Sequence, residues 1–215
     1  VIWSVGIGFG VNIARVTRPE LRRVLQSDFV LAGRASGLTP WQNLMRHLLP
    51  NVAPVFIVQL SWGMAIAVLA EAGRFFRRQG IGGDIVLVST KNVFAPGANF
   101  GAYSSTKAAA HQLARIASLE FACDDVRVNM VAPDAVFGES GRKSGLWAAV
   151  GPSRMKARGL DAQGLEEYYR DRNLLKARIT PEHVARAVLF FATRQTPTTG
   201  ATLPVDGGLP DATPR

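Results

Sequence analysis

Between Asn51 and Ala70 the chain carries no charged side chain across twenty positions (NVAPVFIVQLSWGMAIAVLA), whereas from Ile85 onward its apolar residues come in short β-branched runs divided by charged or turn-forming segments. Twenty uncharged residues are about what a helix needs to cross a ~30 Å hydrocarbon layer. Short β-branched runs instead suit strands buried on both faces of a sheet. The chain therefore divides near residue 72. Residues 1–14 are also uncharged and read as the end of an earlier span. The connection between the two apolar stretches holds Arg15, Arg18, Arg22, Arg23, Arg34 and Arg46 against only Glu20 and Asp28. That balance is expected of a cytoplasmic loop between spans. Pro54, Gln59 and Ser61 interrupt the second run, so a buried helix of a soluble domain is the competing reading. The expectation for residues 1–72 is an all-α, membrane-type helical segment, placed in the inner membrane if residues 51–70 insert.

Residues 73–215 read as α/β. The cluster GIGGD at 80–84 is a turn, followed by Ile85-Val86-Leu87-Val88 as a buried strand. Residues 103–121 are rich in alanine, with apolar positions at Ala110, Leu113, Ile116, Ala117 and Leu119, and predict a helix. Val126 to Val131 (VRVNMV) is a second strand, stopped by Pro133, and residues 201–205 are a third. Thr180 can cap a helix that Pro181 opens, with an apolar face at Ala185, Val188, Leu189 and Phe190. Residues 137–180 form a charged excursion, irregular or helical. Strands alternating with helices predict parallel pairing with right-handed crossovers. The fold class is therefore α/β, a partial Rossmann-like parallel sheet of about three strands with flanking helices, preceded by the helical segment.

Composition removes several function classes. At 47% hydrophobic and 19% charged residues, wholesale disorder is excluded. A single cysteine, Cys123, excludes a disulfide scaffold and a multi-cysteine zinc site. His47, His111 and His183 are too scattered for a histidine-rich metal site, and His111 reads as a surface or interface residue. The net charge of +9 is spread over both parts, +3 on residues 1–72 and +6 on residues 73–215, with no dense basic run. A nucleic-acid partner is not expected. The glycines of GIGFG (Gly6, Gly8, Gly10) lack the dinucleotide spacing and follow no strand, so they read as small residues on a helix face.

Tyr103 and Lys107 stand four apart in YSSTK, one turn apart on one face of the expected helix. A phenol has an ordinary pKa of ~10 and is a poor base at neutral pH. A neighbouring ammonium favours the phenolate, so this pair can pass a proton to or from a substrate oxygen. Ser89 and Thr90 close the strand IVLV at its C-terminal end, where open α/β sheets place ligands. Thr90 lies thirteen residues before Tyr103.

These features, with RVNMVAPDAV after the helix and TGATLPVDGG closing the unit, make residues 73–215 resemble the C-terminal half of the short-chain dehydrogenase/reductase family. VSTKNVFAPG, AYSSTKAAAHQLAR, VNMVAPDAVFG and YYRDRNLLK are similar to the dehydrogenase module of bifunctional rhamnulose-phosphate aldolase/alcohol dehydrogenases. The resemblance implies that Tyr103 is the catalytic acid/base and that Lys107 lowers its pKa and binds the nicotinamide ribose. It implies that Thr90, or else Ser89, holds the substrate oxygen, and that the stretch from Pro133 to Val136 wraps the nicotinamide, with the Val136 backbone nearest its amide. The cofactor is NAD or NADP, and the substrate a small alcohol or carbonyl compound. Asp134 stands where the family more often has glycine. Tyr168, Tyr169, Arg170 and Arg172 fall where a substrate lid is expected, and an arginine pair there can meet a carboxylate or phosphate.

The stretch RRVLQSDFVLAGRASGLTPWQNLMRHLLPNVAPVFIVQLSWGMAIAVLAEA resembles the dipeptide/oligopeptide permeases of ABC transporters. The resemblance implies a helix-turn-helix at residues 31–50 that docks on an ATPase subunit, with Gly37 allowing the turn and Pro50 opening the next span. The family's usual cofactor half, with its glycine-rich phosphate turn, does not stand before residue 73, where permease-like sequence is found. The expectation is thus a junction at about residues 71–75, with domains at 1–72 and 73–215. The leading reading is an oxidoreductase, impaired for want of a pyrophosphate cradle, able to form homo-oligomers and cytoplasmic in its dehydrogenase part. The alternatives are a permease component for peptide-like solutes, and an inactive chimera.

Overall fold

The computed structural model describes residues 2–98, 100–139 and 142–210. The chain falls into two compact units, Val1–Ala67 and Val68–Arg215.

The first unit is helical. α1 (Ile2–Leu25) contains the Gly6-Gly8-Gly10 cluster within its length. α2 (Asp28–Ala35) is followed by a turn in which Gly37 takes φ +81°, a left-handed conformation that costs glycine little. α3 (Pro40–Asn43) opens on a capping box: Thr39 Oγ1 accepts from the Gln42 amide while the Gln42 side chain accepts from the Thr39 amide. It passes through a π-helical turn, Leu44–Leu48, into α4 (Leu49–Gln79). Val24, Val30, Leu48 and Val52 form the core of this unit. The buried Asn43 amide donates to the Val30 carbonyl at 3.1 Å and so fixes α3 against α2.

The membrane-type segment expected of residues 1–72 is corrected in one respect. The segment is helical, but among the described residues no helix is long and apolar enough to cross a membrane. Pro54, Gln59 and Ser61 stand within the apolar run, and Glu71, Arg74, Arg77 and Arg78 charge the later turns of the same helix. The expected junction at residues 71–75 lies inside α4, which stays helical to Gln79. Ala70, Glu71 and Ala72 are good helix formers, and Arg74 donates to Glu71 at 2.7 Å.

The second unit is built on a three-stranded parallel sheet, β1 (Gly83–Val88), β2 (Val126–Pro133) and β5 (Thr202–Val205), in the order β1-β2-β5. A short antiparallel pair, β3 (Gly138–Glu139) and β4 (Arg142–Lys143), stands apart from it. α5 (Gly101–Glu120) joins β1 to β2. α6 (Gly145–Arg158), α7 (Ala162–Asp171) and α8 (Pro181–Ala192) come between β2 and β5. Strand alternation divides the core between two faces. On one, Ile85, Leu87, Val128 and Met130 pack with Ala114 and Ala117 of α5 and with Phe76. On the other, Val86, Val131 and Leu203 pack with Val184, Ala187 and Phe191 of α8. Helices thus cover both faces, as the strand patterns require. Buried Asn129 sets the spacing to the β5 segment: its amide donates to the Thr198 carbonyl at 2.9 Å and its carbonyl accepts from the Ala201 amide at 3.1 Å. Thr180 caps α8 as expected, with His183 completing a reciprocal box.

Candidate functional site

The parallel sheet leaves the C-terminal ends of β1 and β2 side by side, and a cavity of about 470 Å³ opens there. Tyr103, Lys107, Ser89, Thr90, Pro133 and Val136 all line it, so the sheet and α5 bring the six expected site residues to one place. Tyr103 lies in the first turn of α5 and Lys107 in the next, which is why both face the same space. The Lys107 ammonium donates to the Val88 carbonyl at 3.1 Å, tying the helix to the last residue of β1. Burial lowers the pKa of Lys107 below its ordinary value.

The two hydroxyls that end β1 are held differently. Thr90 Oγ1 accepts from the Asn92 amide at 3.3 Å and caps the short 3-10 turn Lys91–Val93, which sets its rotamer. Ser89 Oγ meets His111 Nδ1 at 2.9 Å, and His111 Nε2 meets Thr202 Oγ1 at 3.3 Å. Of the surface or interface position expected for His111, the surface alternative is corrected. It is 4% exposed, packs edge-on against Phe94, and has its pKa lowered by burial and secondarily by Arg115. One imidazole thus links the end of β1 to β5.

Asp134 is accommodated where a glycine is commoner. Its carboxylate is buried and accepts from Arg172 Nη2 at 2.5 and 2.7 Å, while its amide donates to the Val205 carbonyl. The Arg172 guanidinium also lies 4.2 Å from the centroid of the Tyr169 ring. Its Nε is buried without a hydrogen-bond partner, a donor that the described residues leave unsatisfied. Of the four residues placed at the lid, Tyr169 and Arg172 reach the cavity, whereas Arg170 is turned to Asp171 at the surface. Tyr168 lies beneath the Arg158 guanidinium.

Other wall residues escaped the sequence reading. Trp147 lines the cavity; it stacks on Phe137 at 4.3 Å, and both rings meet Tyr169. Arg154 and Arg158, on α6, line the same cavity. Their spacing of four in SRMKAR was the available signal, obscured because residues 137–180 show no clear apolar periodicity. Among the described residues no group of histidine, cysteine and acidic side chains could hold a metal ion.

Residues 56–210 match the family model described as enoyl-(acyl carrier protein) reductase, a model of the short-chain dehydrogenase/reductases. Residues 2–76 match the model described as a binding-protein-dependent transport system inner membrane component. The chain is 40% identical over 146 residues to the uncharacterized oxidoreductase YuxG of Bacillus subtilis, a match covering 67% of this chain and 21% of that protein. It is 32% identical over 72 residues to the dipeptide transport system permease protein DppC of Lactococcus lactis, covering 34% of this chain and 21% of that protein. The crystal structure of L-sorbose reductase from Gluconobacter frateurii, complexed with NADPH and L-sorbose, superposes with a TM-score of 0.60 at 25% identity. That superposition covers 73% of this chain and 59% of the other. The chain thus spans about a fifth of the two curated relatives it is compared with and three-fifths of the solved one.

Proposed function

The chain belongs to the short-chain dehydrogenase/reductase family, and from that premise we propose that residues 73–215 carry an NAD(P)-linked oxidoreductase site for a small alcohol or carbonyl compound. The observation that carries the reading is the meeting of Tyr103, Lys107 and Thr90 in one cavity at the C-terminal ends of parallel strands.

The residues present fit the nicotinamide end of the cofactor. Pro133, Ala135 and Val136 offer an apolar wall, and Lys107 and Thr90 offer polar groups beside it. Lys107 would hold the ribose hydroxyls and the backbone at Val136 the amide. When bound, the nicotinamide supplies or accepts the hydride. The rest is done by the chain. Thr90 Oγ1, whose rotamer is set by the Asn92 amide, hydrogen-bonds the substrate oxygen. In reduction the Tyr103 hydroxyl gives its proton to that oxygen, and in oxidation the phenolate takes it back. The Lys107 ammonium stabilises the phenolate through its charge. The aromatic wall of Trp147 and Tyr169 limits water at the reacting carbon.

The pyrophosphate is the weaker part of the fit. The glycine cluster of residues 6–10 lies within α1 and forms no strand–turn–helix cradle. We therefore expect weak dinucleotide affinity and impaired turnover. Tyr103→Phe should lower NADPH-dependent carbonyl reduction by a factor of about a hundred or more while leaving the thermal midpoint unchanged. Equal turnover by the variant would remove the proposal.

A second reading applies to residues 1–72, favoured by the match of residues 2–76 to the transport model. In it, the turn from α2 to α3 around Gly37 docks on an ATPase subunit through residues 31–50, where Trp41 is exposed. Retention of a purified transporter ATPase by the full chain, lost in Trp41→Ala, would support it. No retention would exclude it.

A further inference from the structure

We propose that Arg154 and Arg158 form an anion subsite in this cavity, so that the substrate bears a phosphate or carboxylate group away from its reacting carbon. The inference rests on the hydride-transfer reading of the same cavity.

The charge balance of the wall comes first. Lys91, Lys107, Arg154, Arg158 and Arg172 line the cavity, and among the described residues its one acid is Asp134. Asp134 is already taken by Arg172 in a short, doubly accepted contact. Arg154 and Arg158 have no carboxylate partner among the described residues. They stand four apart on α6, so the two side chains leave the helix from one face. Like charges at this spacing destabilise a helix, and an anion between them reverses the sign.

Both guanidinium groups are already placed. Arg154 lies 4.0 Å from the centroid of the Phe100 ring and donates through Nη2 to the Ala98 carbonyl at 3.0 Å. Arg158 lies 4.8 Å from the centroid of the Tyr168 ring. An aromatic face engages the charge of a guanidinium without consuming the N–H fork that grips carboxylates and phosphates. A position near a helix C-terminus explains a basic residue in the last turn, which holds Lys156 and Arg158, but not Arg154 a turn earlier. Arg172 adds a buried Nε with no acceptor on the same wall.

Phe100 relates the subsite to the chemistry. Its ring lies 5.8 Å from that of Tyr103, on which the proton moves, and it also carries the Arg154 guanidinium. A compound with a carbonyl or hydroxyl at Tyr103 and an anionic terminus beyond Phe100 spans the two. Polyol phosphates and sugar acids have this form.

Ligand-observed NMR titration of the full chain with D-sorbitol 6-phosphate, D-gluconate and D-sorbitol tests the subsite without requiring turnover. At least one anion should bind about tenfold or more tightly than sorbitol, the scale of one charge-assisted hydrogen bond. The tighter anion identifies the terminus. The double variant Arg154→Gln/Arg158→Gln should bring that anion to the affinity of sorbitol, and Arg154→Lys should keep part of the preference. Arg170→Gln, at the surface beside Asp171, should change nothing. Equal binding of all three compounds, or a preference that survives the double substitution, overturns the subsite. So does a double variant that loses NADPH affinity instead, since the arginines would then serve the dinucleotide. If NADPH does not bind but the arginine-dependent preference persists, the hydride-transfer reading falls and the subsite stands. If NADPH binds but all three compounds bind equally, the reverse holds.

Discussion

His111 holds two strands together with one ring, bonded to Ser89 at the end of β1 and to Thr202 in β5. Its burial disfavours the imidazolium, so its pKa in the folded chain lies below the ordinary 6.5. The unfolded chain then takes up the proton first as the pH falls. Stability contributed by neutral His111 is complete above about pH 6.5 and declines as the pH drops toward and through the lowered value. Urea midpoints at about pH 7.5 and pH 5 measure this, and His111→Gln should flatten the difference. An unchanged pH dependence in the variant would show that the ring is not the titrating group. The role of His111 was not legible in the sequence, because its partners stand 22 and 91 residues away and only the folded sheet assembles them. Tyr103 and Lys107 were legible, since a helix alone puts residues four apart on one face. Arg154 and Arg158 have the same spacing but lacked a strand nearby to give them context.

At the scale of elements, close packing around glycine is decisive where α4 meets β1. A Cβ added to Gly83 would come within 2.0 Å of the Phe76 ring, and one added to Gly73 within 2.5 Å of Phe121. Gly83→Ala should therefore cost about 1–3 kcal/mol, the range for forcing atoms into a packed core. A denaturant midpoint equal to that of the parent would contradict this contact. Gly37, at φ +81° with open space around it, is constrained by its backbone alone. The strands, α5 and the start of α8 followed from local signals: β-branched runs, an alanine-rich periodic stretch and a Thr-Pro cap. α6 and α7 did not, because their apolar contacts are aromatic and non-local, as in the grouping of Phe137, Trp147 and Tyr169. The apolar run from Asn51 to Ala70 does not mark the end of its helix, since α4 goes on past it into a charged stretch.

For the whole molecule, the central claim is that a nicotinamide sits where β1 and β2 end, against Tyr103, Lys107 and residues 133–136. The two compact units match two different families, with overlapping boundaries at residues 56–76. We propose the division into domains at 1–72 and 73–215 on that basis. In the second unit β1 pairs with β2 and, among the described residues, with no other strand. The side of the sheet beyond β1 therefore gives the dinucleotide no described strand to lie across. The account predicts an asymmetric footprint, with strong contact at the nicotinamide and its ribose and little at the adenine. Saturation-transfer NMR of NADP with the full chain reads that footprint directly. Saturation concentrated on nicotinamide and adjacent ribose protons, and lost in Lys107→Met, is the predicted result. Saturation confined to the adenine end, or unaffected by that substitution, would contradict the account.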